Sequence, residues 1–214
     1  MYGPPPPSPL WGAQPGGVGL AAMPPVARVS KGLLLGLVYG GFIGALVIAV
    51  VGGVLQAIGD QNGDQSLVIA GVVVIVVGVL VLLGGMAAWL FLLHRAWSAI
   101  QDGHARTTPG KAVGFMFIPL FNIWWLFQAY QGFAQDFNSF RDRHRLPLEP
   151  LNESHFTAYC ACWLLGNLPY VGIVANLGAL IMMGVIGSAM ADRINGIADV
   201  QASQSGYGPP PPPI

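Results

Sequence analysis

Residues 32–59 read GLLLGLVYGGFIGALVIAVVGGVLQAIG, and residues 65–93 read QSLVIAGVVVIVVGVLVLLGGMAAWLFLL. Neither stretch contains Asp, Glu, Lys, Arg or His, and they run for 28 and 29 residues. About 20 apolar residues in a helix cross a hydrocarbon core of roughly 30 Å. A helix is the form expected in lipid, because no water is present there to satisfy backbone N–H and C=O groups. The two stretches therefore predict a pair of transmembrane helices.

Two further stretches lack charged residues and histidine: residues 112–135 and residues 156–191. As one helix, the longer stretch would measure about 54 Å, which is too long for a single crossing. Gly166-Asn167-Leu168-Pro169-Tyr170 interrupts it, because glycine and proline break helices. The predicted helical segments are about 32–58, 66–93, 109–135, 152–166 and 171–193.

The third segment changes character along its length. Thr108-Pro109 is typical of a helix start, and Pro119 interrupts the run. From residue 127 onward, aromatic and polar side chains separate onto two faces at helical spacing. The aromatic face consists of Phe127, Tyr130, Phe133, Phe137 and Phe140. We expect an amphipathic helix that continues to about residue 145 and lies along the membrane interface, while the part before it crosses fully or enters partway.

The composition agrees with a membrane protein. Only 8% of the 214 residues are charged, against about 25% in soluble domains. Nine Lys and Arg balance nine Asp and Glu, which leaves no basic footprint for nucleic acid. We predict an all-α fold: an integral membrane helical bundle of four to five apolar segments. It would occupy residues 30–195, between disordered Pro-rich tails at 1–29 and 196–214.

The charges also predict an orientation. Arg28 and Lys31 precede the first stretch, Arg95 follows the second, and residues 60–64 between them carry only acidic charge. The positive-inside rule then places the N-terminus in the cytoplasm. Three topologies remain open. Both tails are cytoplasmic if the third helix spans and the fourth stretch crosses once, or if the third is re-entrant and the fourth is a hairpin. Five crossings would put the C-terminus outside.

Regularly spaced glycines predict close helix packing. Gly32, Gly36, Gly40 and Gly44 recur every four residues on the first helix, and Gly71, Gly78 and Gly85 every seven residues on the second. Such rows of small residues let another helix backbone approach closely. The first interpretation is packing of the first helix on the second. The alternative is a homo-oligomer through the same glycine faces.

The two tails share a hexapeptide. Tyr2-Gly3-Pro4-Pro5-Pro6-Pro7 is repeated as Tyr207-Gly208-Pro209-Pro210-Pro211-Pro212. Polyproline forms an extended helix that aromatic-lined grooves recognise. The repeat favours docking of a polyproline-binding protein, which could engage both tails at once if they share a compartment. A merely solubilising pair of tails is the plainer interpretation.

Two helix breaks suggest an alternative function. Pro119 with Asn122, and Asn167 with Pro169, interrupt separate apolar segments, and broken helices can expose backbone carbonyls to a solute. They favour a small channel or transporter. The absence of ionisable side chains from the apolar stretches argues against ion coupling.

The sequence offers no candidate for catalysis, for a cofactor or for a metal. His94, Asp102 and His104 match no metal spacing, and their segment is expected to be a solvated loop. Cys160 and Cys162 point about 200° apart on a helix, so they would not pair readily. No nucleophile accompanies a base, and no glycine-rich phosphate loop is present. We expect that the protein is not an enzyme.

Part of the chain resembles a known family. The resemblance is carried by WSAIQDG (97–103), TTPGKAVGF (107–115) and FIPLFN (117–122), with Trp124, Trp125, Phe127 and Gln128. These residues are similar to the signature TPGKAVGF…FIP…FN…W…FQ of an uncharacterised family of bacterial multi-pass membrane proteins. The similarity covers roughly residues 94–140. It implies a bacterial cytoplasmic membrane location and no particular activity.

Four residues of that region are predicted interface anchors: Lys111, Trp124, Trp125 and Tyr130. A lysine reaches for lipid headgroups, and aromatic side chains with a polar group favour the membrane boundary. Taken together, the sequence favours a non-enzymatic membrane scaffold or assembly protein, with the bilayer and a tail-binding protein as its partners.

Overall fold

The computed structural model of the chain describes residues 20–204, and every regular element in that range is helical. The α-helices are α1 (Lys31–Asn62), α2 (Gln65–Ala99), α3 (Pro109–Gly114), α4 (Phe121–Ala129), α5 (Gln131–His144), α6 (Glu153–Leu165) and α7 (Gly172–Gln204). Short 3-10 turns cover Leu20–Ala22 and Phe115–Phe117. The predicted all-α class is confirmed for the described residues, and both hexapeptides lie outside them.

Three helices, α1, α2 and α7, are long and apolar enough to cross a membrane. Their lengths are 32, 35 and 33 residues. Many of their large apolar side chains point outward; Leu80, for example, is 62% exposed. Because exposed apolar surface on this scale is unfavourable in water, these faces suit contact with lipid.

The first two helices form a hairpin whose turn is fixed by two residues. Gly63 ends α1 with φ at 70°, a left-handed conformation that favours glycine. Asp64 caps α2, since its Oδ1 accepts hydrogen bonds from the backbone N–H groups of Ser66 and Leu67 at 2.9 and 3.4 Å. The two helices then pack closely through buried glycines, from Gly41 against Gly85 to Gly59 beside Val68.

The predicted helix over residues 109–135 does not form as one piece. The chain folds back after α3 and its 3-10 turn, so α3 and α4 lie side by side. Pro119 cannot continue a helix, and Leu120 adopts φ of 63°, which reverses the chain direction. Trp125 Nε1 then donates to the carbonyl of Ala112 at 3.0 Å, joining the two arms. We call this unit the short hairpin.

A third hairpin, which we call the α6–α7 hairpin, joins α6 to α7. Its tip is the Gly/Pro-containing segment 166–171, and the helix bounds around it differ by one residue from those predicted. At the other end, α7 continues to Gln204, although we predicted a disordered tail from residue 196. The added turns are helical because Ile197 and Ala198 are buried there.

An aromatic core fills the end of the bundle where α5 lies. Its members include Trp97, Tyr130, Phe133, Phe137 and Phe140, which are almost fully buried. The aromatic face of α5 packs against α2 and α6, since Phe133 contacts both Trp97 and Phe156. The Trp97 indole fixes this arrangement, because it donates to the carbonyl of Ala129 at 3.0 Å and packs edge-on against Phe133.

Candidate functional site

All nine lysines and arginines lie at one end of the bundle, which we call the basic end. Their ion pairs tie it together: Arg28 with Asp199, Lys31 with Asp192, Arg106 with Asp136, Arg143 with Asp102 and Arg193 with Glu149. The turn at the opposite end carries only acidic charge, at Asp60 and Asp64. Both ends of the described chain are at the basic end, which is the arrangement expected of a re-entrant third segment and a hairpin in the fourth.

Residues 20–30, which we call the strap, lie along the last turns of α7. The backbone N–H groups of Val26 and Val29 donate to the side-chain carbonyls of Gln201 and Asn195, each at 2.8 Å. The Asn195 amide returns a hydrogen bond to the carbonyl of Val29 at 3.0 Å. These bonds satisfy backbone groups that have no partner within a helix, so the strap is held in register.

The strap brings the two ends of the described chain together. Gln201 Nε2 donates to the carbonyl of Leu20, the first described residue, at 3.4 Å. Gln201 is one helical turn before Gln204, the last described residue. The segments that precede Leu20 and follow Gln204 are therefore attached side by side at the basic end.

A buried carboxylate organises the loop between α2 and α3. Asp102 is only 1% exposed, although we expected a solvated loop. Its Oδ1 accepts from the backbone N–H of His104 at 2.9 Å, and its Oδ2 from Arg143 Nε and Nη2 at 3.0 and 2.8 Å. His144 Nε2 is 3.1 Å from Oδ2. The carboxylate thus fastens the loop to α5, which is a structural role.

We expect Asp102 to make the fold acid-sensitive. Burial on its own raises the pKa of Asp102, but hydrogen bonds from His104, Arg143 and His144, with the charge of Arg143, together lower this pKa below its usual value. The ionised form therefore stabilises the folded state. That contribution is complete above the unfolded pKa of about 4 and is lost as the pH falls through the lower folded pKa.

The measurement is the unfolding temperature in detergent between pH 3 and pH 7. Asp102→Asn should destabilise the protein at pH 7 by about 1–3 kcal/mol, because Arg143 loses its anionic partner, and should flatten the profile below pH 5. Asp142→Asn is the control, since Asp142 is exposed and its ion pair within residues 20–204 is with its neighbour Arg141. Equal acid sensitivity in both variants would contradict this role.

A cavity of about 610 Å³ lies between the short hairpin, the α6–α7 hairpin and the α1–α2 pair. Its lining is mainly apolar, with Leu46, Met86 and Leu126 among its members. Trp89 and Tyr159 also line it, and Trp89 Nε1 donates to the hydroxyl of Tyr159 at 3.1 Å.

The predicted helix-break residues fall at the tips of the short hairpin and of the α6–α7 hairpin, and one of the four lines the cavity. Asn122 lines it, whereas Pro119, Asn167 and Pro169 do not. Asn167 bonds back to its own helix, to the carbonyl of Trp163 at 2.9 Å. Asn176 is a polar lining residue that the sequence analysis did not predict. Its one distinguishing feature in the sequence is that it is a polar residue in the apolar start of α7.

The predicted glycine rows differ in their surroundings. Gly71, Gly78 and Gly85 of α2 all face α1, but their glycine partners on α1 are Gly41 and Gly52. Nothing lies within 4 Å of a Cβ built on Gly32, Gly36 or Gly40, and only Val81 is that close to Gly44, at 3.7 Å. The sequence does carry a pattern that marks the packing face of α1, a seven-residue spacing that matches the glycine row of α2. Its members are Val38, Ala45, Gly52 and Gly59. The face of Gly32, Gly36 and Gly40 is open, and a homo-oligomer through glycine faces stays a prediction.

The four predicted anchors separate into two exposed and two buried residues. Lys111 and Trp124 are exposed, Trp124 by 55%. Trp125 is 8% exposed because its ring packs between Phe115 and Phe121, and Tyr130 is buried against Trp89. Trp125 and Tyr130 therefore belong to the core, and only the other pair is placed to meet an interface.

Comparisons of the chain with protein-family models, with curated proteins and with solved structures give no match. Among the described residues, no cluster of three or more His, Cys, Asp or Glu could hold a metal ion.

Proposed function

We propose that this protein is a non-enzymatic scaffold of the bacterial cytoplasmic membrane that presents two Pro-rich tails side by side on its cytoplasmic face. The observation that carries the proposal is the strap, which attaches both tails at one place on the basic end. The orientation is supported by the charge distribution. All nine basic residues lie at that end, and cytoplasmic loops carry an excess of Lys and Arg.

Side-by-side attachment brings the two copies of the hexapeptide within reach of the same partner. Twelve residues separate Pro7 from Leu20, which is at most about 43 Å of extended chain, and two separate Gln204 from Tyr207. Both copies can thus meet a single partner with two polyproline-binding grooves. Once one copy is bound, binding of the second is intramolecular, and the gain in avidity can reach about 10²–10⁴.

The test compares four versions of the full chain in lipid nanodiscs: the natural sequence, Pro4–Pro7 changed to alanine, Pro209–Pro212 changed to alanine, and both changed. Proteins retained from a cytoplasmic extract are quantified by mass spectrometry. We expect a partner whose retention falls at least tenfold with either single change and disappears with both. Bivalent binding explains why changing one hexapeptide would lower the retention of the partner this much, because the gain in avidity requires both copies.

The contribution of the strap can be separated from that of the sequence. Asn195→Ala with Gln201→Ala removes the side chains that hold the strap, while both hexapeptides stay unchanged. Asn138→Ala is the control, since it removes a similar hydrogen bond elsewhere, in which Asn138 Oδ1 accepts from the backbone N–H of Leu151 at 2.7 Å. The double variant should weaken retention and the control should not. A set of retained proteins that is the same for all four tail versions would contradict the scaffold.

The alternative, a small channel or transporter, stays a prediction. One observation favours it: Asn122, at the break of the short hairpin, lines the cavity. The observation against it is that the other three break residues point elsewhere, so the two breaks do not combine into one pathway.

A further inference from the structure

The cavity between the hairpins has the properties of a binding site for a small apolar molecule. Its volume of about 610 Å³ falls within the usual range of ligand pockets, about 300–1,000 Å³, which are mostly apolar with a few placed polar groups. Water is a poor occupant, because each buried water needs 2–4 polar partners and this lining supplies few.

The position of the cavity points to a lipid-like ligand. Phe42 and Leu46 line it and lie about 11–15 residues beyond Lys31 on α1, or about 16–23 Å from the basic end, which is mid-depth in a 30 Å hydrocarbon layer. Leu46, Phe117 and Leu177 line it too, and each is more than half exposed on the outer surface of the bundle. The cavity is therefore continuous with the face that suits lipid.

The polar lining restricts the kind of molecule. No Asp, Glu, Lys, Arg or His lines the cavity, so a charged group entering it would be uncompensated. The side-chain amide of Asn122 is half-buried and has no hydrogen-bond partner among residues 20–204. An amide in an apolar cavity gains when a ligand hydroxyl or carbonyl bonds to it.

We propose that this cavity binds the hydrocarbon chain of an uncharged amphiphile, a single chain that carries a hydroxyl or carbonyl group, with the Asn122 amide bonding that group. The inference goes beyond the docking role of the tails. It depends on the membrane placement of the helices alone, so its failure would leave the tail experiment unaffected.

The test uses the full chain in phosphatidylcholine vesicles and a monoacylglycerol with a photoreactive diazirine at mid-chain. After illumination, labelled residues are located by mass spectrometry. We expect adducts on Met86, Met116 or Met183, which line the cavity. These adducts should saturate as the probe fraction rises, and excess unlabelled monoacylglycerol should displace them.

Four variants sharpen the test. Ala179→Phe fills the cavity and should reduce displaceable labelling at least tenfold. If Ala179→Phe lowers the unfolding temperature, the smaller change Ala179→Leu takes its place. Ala87→Phe adds the same bulk on the exposed side of α2 and should change nothing. Asn122→Leu should weaken binding about threefold to tenfold, as expected for one hydrogen bond.

A second probe tests the charge requirement. An alkyl sulfate with the same diazirine chain carries a permanent negative charge, and it should give no displaceable adducts in the cavity. Cavity labelling that rises in proportion to the probe fraction, or equal labelling by the alkyl sulfate, would overturn the proposal. So would displaceable labelling that survives both Ala179 variants, or an unchanged affinity for monoacylglycerol in Asn122→Leu.

Discussion

Gly41→Val will separate α1 from α2, whereas the same change at the neighbouring Gly40 will leave the hairpin intact. A Cβ on Gly41 would collide with Gly85 Cα and lie 2.8 Å from Gly85 N, and these are backbone atoms that cannot rotate away. Nothing lies within 4 Å of a Cβ on Gly40. Overpacking a core costs about 1–3 kcal/mol, occasionally more, and we expect a loss of about 3 kcal/mol here because the two helix backbones must shift apart.

The measurement is unfolding by sodium dodecyl sulfate in mixed micelles, followed by circular dichroism. Gly40→Val makes the same change in helix propensity, so the difference between the two variants reports helix packing alone. We expect Gly40→Val to stay within about 0.5 kcal/mol of the natural sequence, as exposed substitutions usually do. Equal unfolding midpoints for both variants would refute the close glycine contact.

Trp125→Ala is the second change with a large expected effect. Its indole joins the two arms of the short hairpin through the hydrogen bond to Ala112 at 3.0 Å, and its ring stacks on Phe121 at 5.6 Å. Removing a buried tryptophan costs about 3–5 kcal/mol. We expect the short hairpin to lose its fixed structure while the α1–α2 hairpin persists.

Trp124→Ala is the matched control, because Trp124 is the adjacent tryptophan and is 55% exposed. Hydrogen–deuterium exchange of residues 109–129 in detergent measures both variants. Trp125→Ala should raise exchange throughout this range, and Trp124→Ala should affect only its own turn. Comparable protection in the two variants would show that Trp125 does not hold the hairpin together.

Much of the helical architecture could be predicted from the sequence. Uninterrupted apolar length indicated α1 and α2, and Gly166 with Pro169 indicated the break between α6 and α7. The short hairpin was harder, because an apolar run reads the same whether it crosses a bilayer or turns back. The turn depends on the backbone of Leu120 and on the long-range contact of Trp125 with Ala112, and neither has a local signature.

For the candidate sites too, local sequence patterns could be predicted and long-range contacts could not. The repeated hexapeptide is visible in the sequence, but the strap depends on ordinary polar residues, Asn195 and Gln201, whose partners are 166 and 175 positions away. Glycine spacing indicated the packing face of α2. It indicated the wrong face of α1, since a four-residue row there is equally regular and only the register with α2 decides between the two.

We infer that both ends of residues 20–204 share one side of the membrane, opposite the turn between α1 and α2. Single cysteines at Asn62, Arg145 and Ser203, in a chain with Cys160 and Cys162 replaced by serine, test it with a membrane-impermeant maleimide. In intact cells we expect labelling at position 62 only, with positions 145 and 203 reacting after permeabilisation. Labelling of position 203 in intact cells, or of position 62 only after permeabilisation, would contradict it.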